Sequence, residues 1–250
     1  MQKPGLKVPD ELDDNGFRDP SIRKDPVMST PPATGAIPFE PIHTDLIPGR
    51  TVLVHIDAQN DFLSLDGHYA KSGIDLTHVR RTIEPIKKLT AEARRRGIPV
   101  IWTRHGSKGL VDGGTFMRHR PFLKDGGLRQ NTWGYEILDG LGALPDDWYV
   151  DKLRLSAFFN TTLDVLLRNL KAETVIFTGL LTNQCVAATS KDAMFRDYLP
   201  IVVEEATGTT LPHLQDPAIE MMKVGWAEVA TLADTLAQME KFPLSNTGPR

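Results

Sequence analysis

Thr174-Val-Ile-Phe-Thr-Gly-Leu-Leu-Thr-Asn-Gln-Cys-Val-Ala-Ala188 holds a strand, a turn and the start of a helix. Its first five residues are β-branched or aromatic, as in a strand buried on both faces. Gly179 ends the run, and residues 183–198 read as a helix. The same alternation recurs on either side. Thr51 to Ile56 is a short apolar run that ends at Asp57. Residues 76–96 carry Val79, Ile83, Ile86 and Leu89 at helical spacing before a Gly97 stop. Ile98 to Trp102 is a second strand, and Tyr149-Val150 enters a third that reaches Asp151-Lys152. Further helices fall at 161–170, 216–224 and 231–241, with strands at 201–203 and 227–230. Gly106 to Gly127, rich in glycine and charge, reads as a long loop. Strands alternating with helices require right-handed crossovers. The expected fold is α/β, with a six-stranded, mostly parallel sheet covered on both faces.

The first 48 residues have another texture. They hold nine of the 18 prolines, which fix φ and remove backbone donors, so no long helix or central strand can form there. Phe17, Ile22, Ile37, Phe39, Ile42 and Ile47 offer apolar anchors. The expectation is an N-terminal arm over residues 1–48, lying across the domain or a neighbouring subunit, and one domain of ordinary enzyme size over 49–250. The chain of 250 residues carries a net charge of −3. That balance argues against a nucleic-acid partner. No apolar stretch is long enough to span a membrane, and residues 1–10 are too polar to begin a signal peptide. The expected location is the cytoplasm. The single cysteine excludes an intrachain disulfide and suggests a reducing compartment.

Ligands of parallel sheets bind beyond the carboxyl ends of the strands. Three such ends carry Asp57, Lys152 and, just past Gly179, Cys185. Each has an ordinary alternative: a cap for the next segment, a solvated lysine, a buried structural thiol. Together they supply a nucleophile, a base and a cation, with no histidine required. Cys185 enters a helix, where free N–H groups and the dipole lower a thiol's pKa and can stabilise an oxyanion.

These segments resemble the cysteine hydrolases of the isochorismatase-like superfamily. The apolar strand and D-x-Q-N-D-F element of that family match Val54-His-Ile-Asp-Ala-Gln-Asn-Asp-Phe62. Its lysine followed by a Ser/Gly-Ala-Phe element matches Lys152-Leu-Arg-Leu-Ser-Ala-Phe-Phe-Asn-Thr161, and its T-G-x-x-T-N-x-C-V element matches Thr178 to Val186. The match runs from about residue 50 to the C-terminus. The resemblance implies a Rossmann-like three-layer α/β/α sandwich, and a triad of Asp57 as base, Lys152 as cation and Cys185 as nucleophile. It also implies a cis peptide before Leu181, and an oxyanion hole made by the N–H groups of Leu181 and Cys185.

Nicotinamidases of this superfamily carry an Asp-x-His metal motif after the second strand. Here that place reads Thr103-Arg-His-Gly106. The partner aspartate is missing, so no metal and no other cofactor is expected. Trp133 onward, through Lys152 to Thr161, looks most like the ureidoacrylate, biuret and triuret hydrolases. The expected activity is therefore cleavage of a C–N bond in a small linear ureido or carbamoyl amide through a thioester, releasing ammonia or a carbamate. Asn60, Phe62, Arg104, His105, Phe158 and Gln184 are the expected substrate contacts. Arg118, His119 and Arg120 are further donors toward a carbonyl or carboxylate. Alternatives are an amidase of maleamate, N-carbamoylsarcosine or nicotinamide type, a binding protein on the same fold, or a redox-sensing thiol. The family usually forms dimers or tetramers, so a homo-oligomer is expected.

Overall fold

The computed structural model describes residues 43–245. The expected N-terminal arm lies outside the described residues up to residue 42. Of the remainder, Thr44 N–H donates to Glu228 and Leu46 is buried. The strands are β1 (Thr51–Ile56), β2 (Val100–His105), β3 (Trp148–Lys152), β4 (Thr174–Leu180), β5 (Leu199–Gly208) and β6 (Glu228–Ala230). They form one sheet in the order β3-β2-β1-β4-β5-β6, and all five pairings are parallel. The order reverses between β1 and β4, which makes their carboxyl ends the switch point where such sheets open a crevice.

The helices are α1 (Asn60–Leu63), α2 (His68–Lys71), α3 (Thr77–Arg80), α4 (Ile83–Arg95), α5 (Leu110–Arg118), α6 (Leu163–Asn169), α7 (Ala187–Met194), α8 (Gln215–Gly225) and α9 (Leu232–Glu240). Side chains alternate across each strand. Leu53, Ile176 and Ile201 therefore pack on one face with Ile86 and Leu89 of α4 and Met239 of α9. Val52, Val54, Val175 and Phe177 pack on the other with Leu163, Leu167, Ala193 and Met222. The result is the expected three-layer sandwich.

Four segments differ from the sequence reading. The helix expected over 76–96 is two, α3 and α4. Between them the buried Thr82 hydroxyl bonds the Val79 carbonyl at 2.8 Å and competes with the helical backbone. The expected loop over 106–127 contains α5. Asp112 starts it by accepting from Lys108 N–H and Gly109 N–H, and Gly114 (φ 54°, ψ −138°) kinks it, so the glycine content hid a real helix. β5 runs on past Val203, because Glu204 and Glu205 interrupt the apolar pattern without interrupting the strand. The helix expected from Asn183 is a π-turn over Thr182–Val186 followed by α7. At Gly179 (φ 102°) an added Cβ would stand 2.0 Å from Ile56 O, so only glycine lets β4 lie so close to β1 there.

A polar group sits inside the α4 layer. His55 of β1 is fully buried between the hydroxyls of Thr178 (2.6 Å to Nδ1) and Thr90 (3.0 Å to Nε2), and it stacks on Trp102 with ring centroids 4.2 Å apart. Burial lowers its pKa to about 3, against a smaller opposing pull from Asp147. The unfolded chain binds this proton near pH 6.5 and the folded chain does not. The stabilising contribution is thus complete above about pH 6.5 and is lost as pH falls toward about 3. The slope from this group is at most about 1.4 kcal/mol per pH unit. Urea unfolding at stepped pH should show His55→Gln less stable than the wild-type chain at neutral pH, with the gap narrowing as the solution is acidified. A gap independent of pH would overturn the assignment.

Candidate active site

The site begins with the turn after β1. Asp57 takes a left-handed conformation (φ 50°), which aspartate tolerates better than most residues, and its side chain is wholly buried. Thr103 of β2 fixes it: Asp57 N–H donates to Thr103 Oγ1 at 3.1 Å, and that hydroxyl donates to Asp57 Oδ1 at 2.6 Å. Gln59 to Phe62 tie the turn to neighbouring segments. Gln59 donates to His105 O and Tyr135 O and accepts from His105 N–H. Asn60 Nδ2 donates to Trp133 O at 2.8 Å. The Asp61 carboxylate accepts from His68 N–H and Leu128 N–H. Phe62 packs on Tyr69, centroids 4.6 Å apart.

Lys152, the last residue of β3, has a side chain wholly out of water. Its Nζ lies 2.7 Å from Asp57 Oδ2 and donates to Arg154 O at 3.1 Å. The contact with Asp57 is a buried ion pair, and a carboxylate oxygen, with two lone pairs, can accept from a further donor beside it. Burial pulls the Lys152 pKa down, but Asp57 and Cys185 outweigh it and hold the ammonium above its ordinary value.

Cys185 lies in the π-turn after the Leu180–Leu181 peptide, which is cis as the resemblance implies. Leu181 O accepts from Gln184 N–H at 2.9 Å and from Val186 N–H at 3.2 Å. The second bond takes the place that Cys185 N–H would fill in an α-helix. The thiol is buried and faces both Asp57 and Lys152. Burial is the largest influence and pushes its pKa up to about 12; Asp57 adds to this and Lys152 opposes it. The sequence led us to expect a lowered thiol pKa. Desolvation of the thiolate, together with a neighbouring carboxylate, outweighs the ammonium and the turn's N–H groups.

His105 joins the group, although the sequence showed no obvious Cys–His pair. Its Nδ1 is 3.9 Å from Cys185 Sγ. Burial, then Lys152 and Arg120, hold its pKa well below 6.5, so it is neutral and a weak base. The ligand atoms of Asp57, His105 and Cys185 fall within 4.8 Å of one another, a spacing that suits a metal ion. The donor set fits one poorly: the Lys152 ammonium already occupies the cation's place on the carboxylate. The residue standing where the nicotinamidase pattern has its aspartate is Thr103, and it serves Asp57.

Leu181 and Gln184 border a cavity of about 330 Å³ that also touches Tyr69, Arg120 and Phe122. Tyr69 and Arg120 are additions the motifs did not flag as a pair; Tyr69 is within electrostatic reach of Cys185 and Asp57. Arg104 does not join this group. It follows Thr103 and precedes His105 on β2 and so points to the other face, where it pairs with Asp151 and Glu136 between the rings of Tyr135 and Tyr149. Phe158 is buried against Tyr198 and beneath Arg196. Asn60 and Phe62 stand in the framework of the Asp57 turn.

Fold and site together define a doubly wound α/β domain with one buried thiol at its switch point. Residues 51–234 match the isochorismatase domain. The chain belongs to the isochorismatase family. It is 35% identical to the ureidoacrylate amidohydrolase RutB of Methylorubrum extorquens, over 90% of this chain and 95% of that protein. The RutB of an Enterobacter species is 33% identical over 79% and 93%. Among solved structures, a cysteine hydrolase from Pseudomonas syringae pv. phaseolicola superposes with a TM-score of 0.74 at 26% identity, covering 82% of this chain and 99% of that one. N-carbamoylsarcosine amidase from Thermoplasma acidophilum gives 0.60 at 25% identity, over 73% and 96%. Among the described residues no helix is long and apolar enough to cross a membrane.

Removing one member of a buried ion pair strands the other. Lys152→Met and Asp57→Asn should each destabilise the fold by about 3–5 kcal/mol, and the double variant by less than their sum. A double-mutant cycle in urea measures this; strict additivity would refute the pairing.

Proposed function

We propose that this protein is a cysteine-dependent amidohydrolase that cleaves a C–N bond in a small linear ureido or carbamoyl amide, with ureidoacrylate, biuret and triuret as the first candidates. The observation that carries the reading is the meeting of Asp57, Lys152 and Cys185 in one buried group, with Leu181 and Gln184 of the same turn bordering the 330 Å³ cavity. Relatives named as ureidoacrylate amidohydrolases at about a third identity over most of both chains support the substrate class.

Because the resting thiol is neutral, a base must take its proton as it attacks. Asp57 Oδ2, with accepting capacity to spare, is that base; His105 is neutral and weakly basic. Sulfur attacks the ureido carbonyl carbon, and the oxyanion settles on the N–H groups of Leu181 and Cys185. Lys152 compensates the negative charge as it moves from carboxylate to sulfur to oxygen. Protonated Asp57 then gives its proton to the leaving nitrogen as the C–N bond breaks, which leaves a thioester-level carbamoyl group on sulfur. Asp57 next takes a proton from water, the hydroxide cleaves the C–S bond, and the thiol is restored. A homo-oligomer that the arm of residues 1–48 braces belongs to the same proposal, as does a cytoplasmic location.

Ammonia release from biuret, triuret, ureidoacrylate, N-carbamoyl amino acids, nicotinamide and maleamate tests the reading. At least one ureido compound should turn over, and Cys185→Ala should lower kcat by about 10³-fold or more. Turnover confined to nicotinamide or maleamate would keep the triad and overturn the substrate class. Cys185 is the only cysteine, so alkylation by iodoacetamide reports on it alone. The rate should keep rising with pH through the neutral range. A plateau there would reveal a preformed thiolate and remove the need for Asp57 as base.

A further inference from the structure

Gln184 precedes Cys185 in the π-turn and lines the cavity with Leu181. Its Oε1 accepts from Arg120 Nη2 at 2.5 Å. Chemistry forces that orientation. A guanidinium has five N–H donors and no acceptor, so a carboxamide can turn only its oxygen toward it. The nitrogen Nε2, with two donors, is then left on the side away from Arg120. Arg120 is itself held in place: Nη1 donates to Phe116 O at 3.2 Å, and the guanidinium carbon stands 3.9 Å from the centre of the Phe116 ring. That ring packs against His105, centroids 4.3 Å apart, and His105 touches the thiol. The wall that backs Cys185 therefore also sets the position of Arg120.

We propose that Arg120 is a positioning residue for substrate recognition, holding the Gln184 carboxamide with its nitrogen toward the cavity, so that the site selects compounds bearing an oxygen acceptor beyond the scissile ureido group. A carbonyl, as in biuret, and a carboxylate, as in ureidoacrylate, share that chemistry; an alkyl end lacks it. The inference rests on the reading of Cys185 as the nucleophile toward ureido compounds. Arg120 also lines the cavity; the role assigned to it is the placing of Gln184, not contact with a reacting atom.

Arg120→Met and Arg120→Lys are compared with wild type on biuret, ureidoacrylate and propylurea. Arg120→Met frees the carboxamide to rotate and should raise KM for biuret or ureidoacrylate about tenfold, with kcat nearly unchanged. Propylurea, which offers no distal acceptor, should show no change in KM or, if untransformed, in inhibition constant. Arg120→Lys keeps a donor for Oε1 and should recover most of the loss. An unchanged KM for both acceptor-bearing compounds, an equal rise for all three, or no recovery by lysine would overturn the proposal. Should wild type hydrolyse no ureido compound, the proposed function fails, and calorimetric titration of Cys185→Ala with biuret and ureidoacrylate decides the inference separately. A tenfold weaker Kd on adding Arg120→Met sustains it; equal Kd values, or no binding of either compound, overturn it.

Discussion

Asp57 and Lys152 are opposite charges without access to water, and each is tenable only because the other is there. An unpaired ion in a protein interior costs several kcal/mol even after relaxation. This constrains the sheet, because β1 and β3 are not neighbours. β2 runs between them, with His105 in register with Lys152 and the β2 backbone and hydroxyl of Thr103 bonded to Asp57. A slip of one residue between β3 and β2 would turn Lys152 to the opposite face. It would leave a bare carboxylate beneath the thiol. Register, charge balance and the composition of the cavity wall are thus one requirement.

The same dryness creates the chemical problem that the site solves. Water would stabilise a thiolate; its exclusion keeps Cys185 protonated and His105 neutral. On the proposed mechanism, the pocket stores its negative charge on Asp57, where Lys152 holds it, and moves it to sulfur only when a carbonyl is present to accept the sulfur's electrons. A resting thiol is also a poor target for adventitious oxidation or metal capture, since both act on the thiolate.

Much of this was legible in the chain because it obeys short-range rules. Buried parallel strands are runs of β-branched and aromatic residues, so Thr51 to Ile56 and Thr174 to Thr178 could be recognised, and their ends pointed to Asp57 and Cys185. What the sequence hid depends on partners distant along the chain. α5 was masked because its helical start is set by Asp112 rather than by an apolar stripe, and because Gly114 breaks its regularity. The single helix expected over 76–96 failed at Thr82, whose hydroxyl found a carbonyl three residues back. Arg104 and His105 looked equivalent as neighbours on β2, yet strand alternation sends one to the thiol and the other to a pair of carboxylates. The thiol's acidity could not be read from its place near a helix start, because desolvation is a property of the whole surrounding layer.

The turn from Asp57 to Phe62 has a consequence for how the molecule assembles. Four of its six residues, Asp57, Gln59, Asn60 and Asp61, are bonded to β2, to the His68 region, to Leu128 or to the Trp133–Tyr135 segment, at separations along the chain of up to 76 residues. Local contacts form early in folding, whereas contacts between distant segments wait for the loops between them to close. Asp57, the proposed base, is therefore set only after the β1–β2 crossover and the loop beyond α5 have closed around it. On the proposed mechanism, partly folded chains, which expose their cysteine to any passing electrophile, lack the aspartate in position to make it a nucleophile for an amide. Competence arrives with completion of the fold.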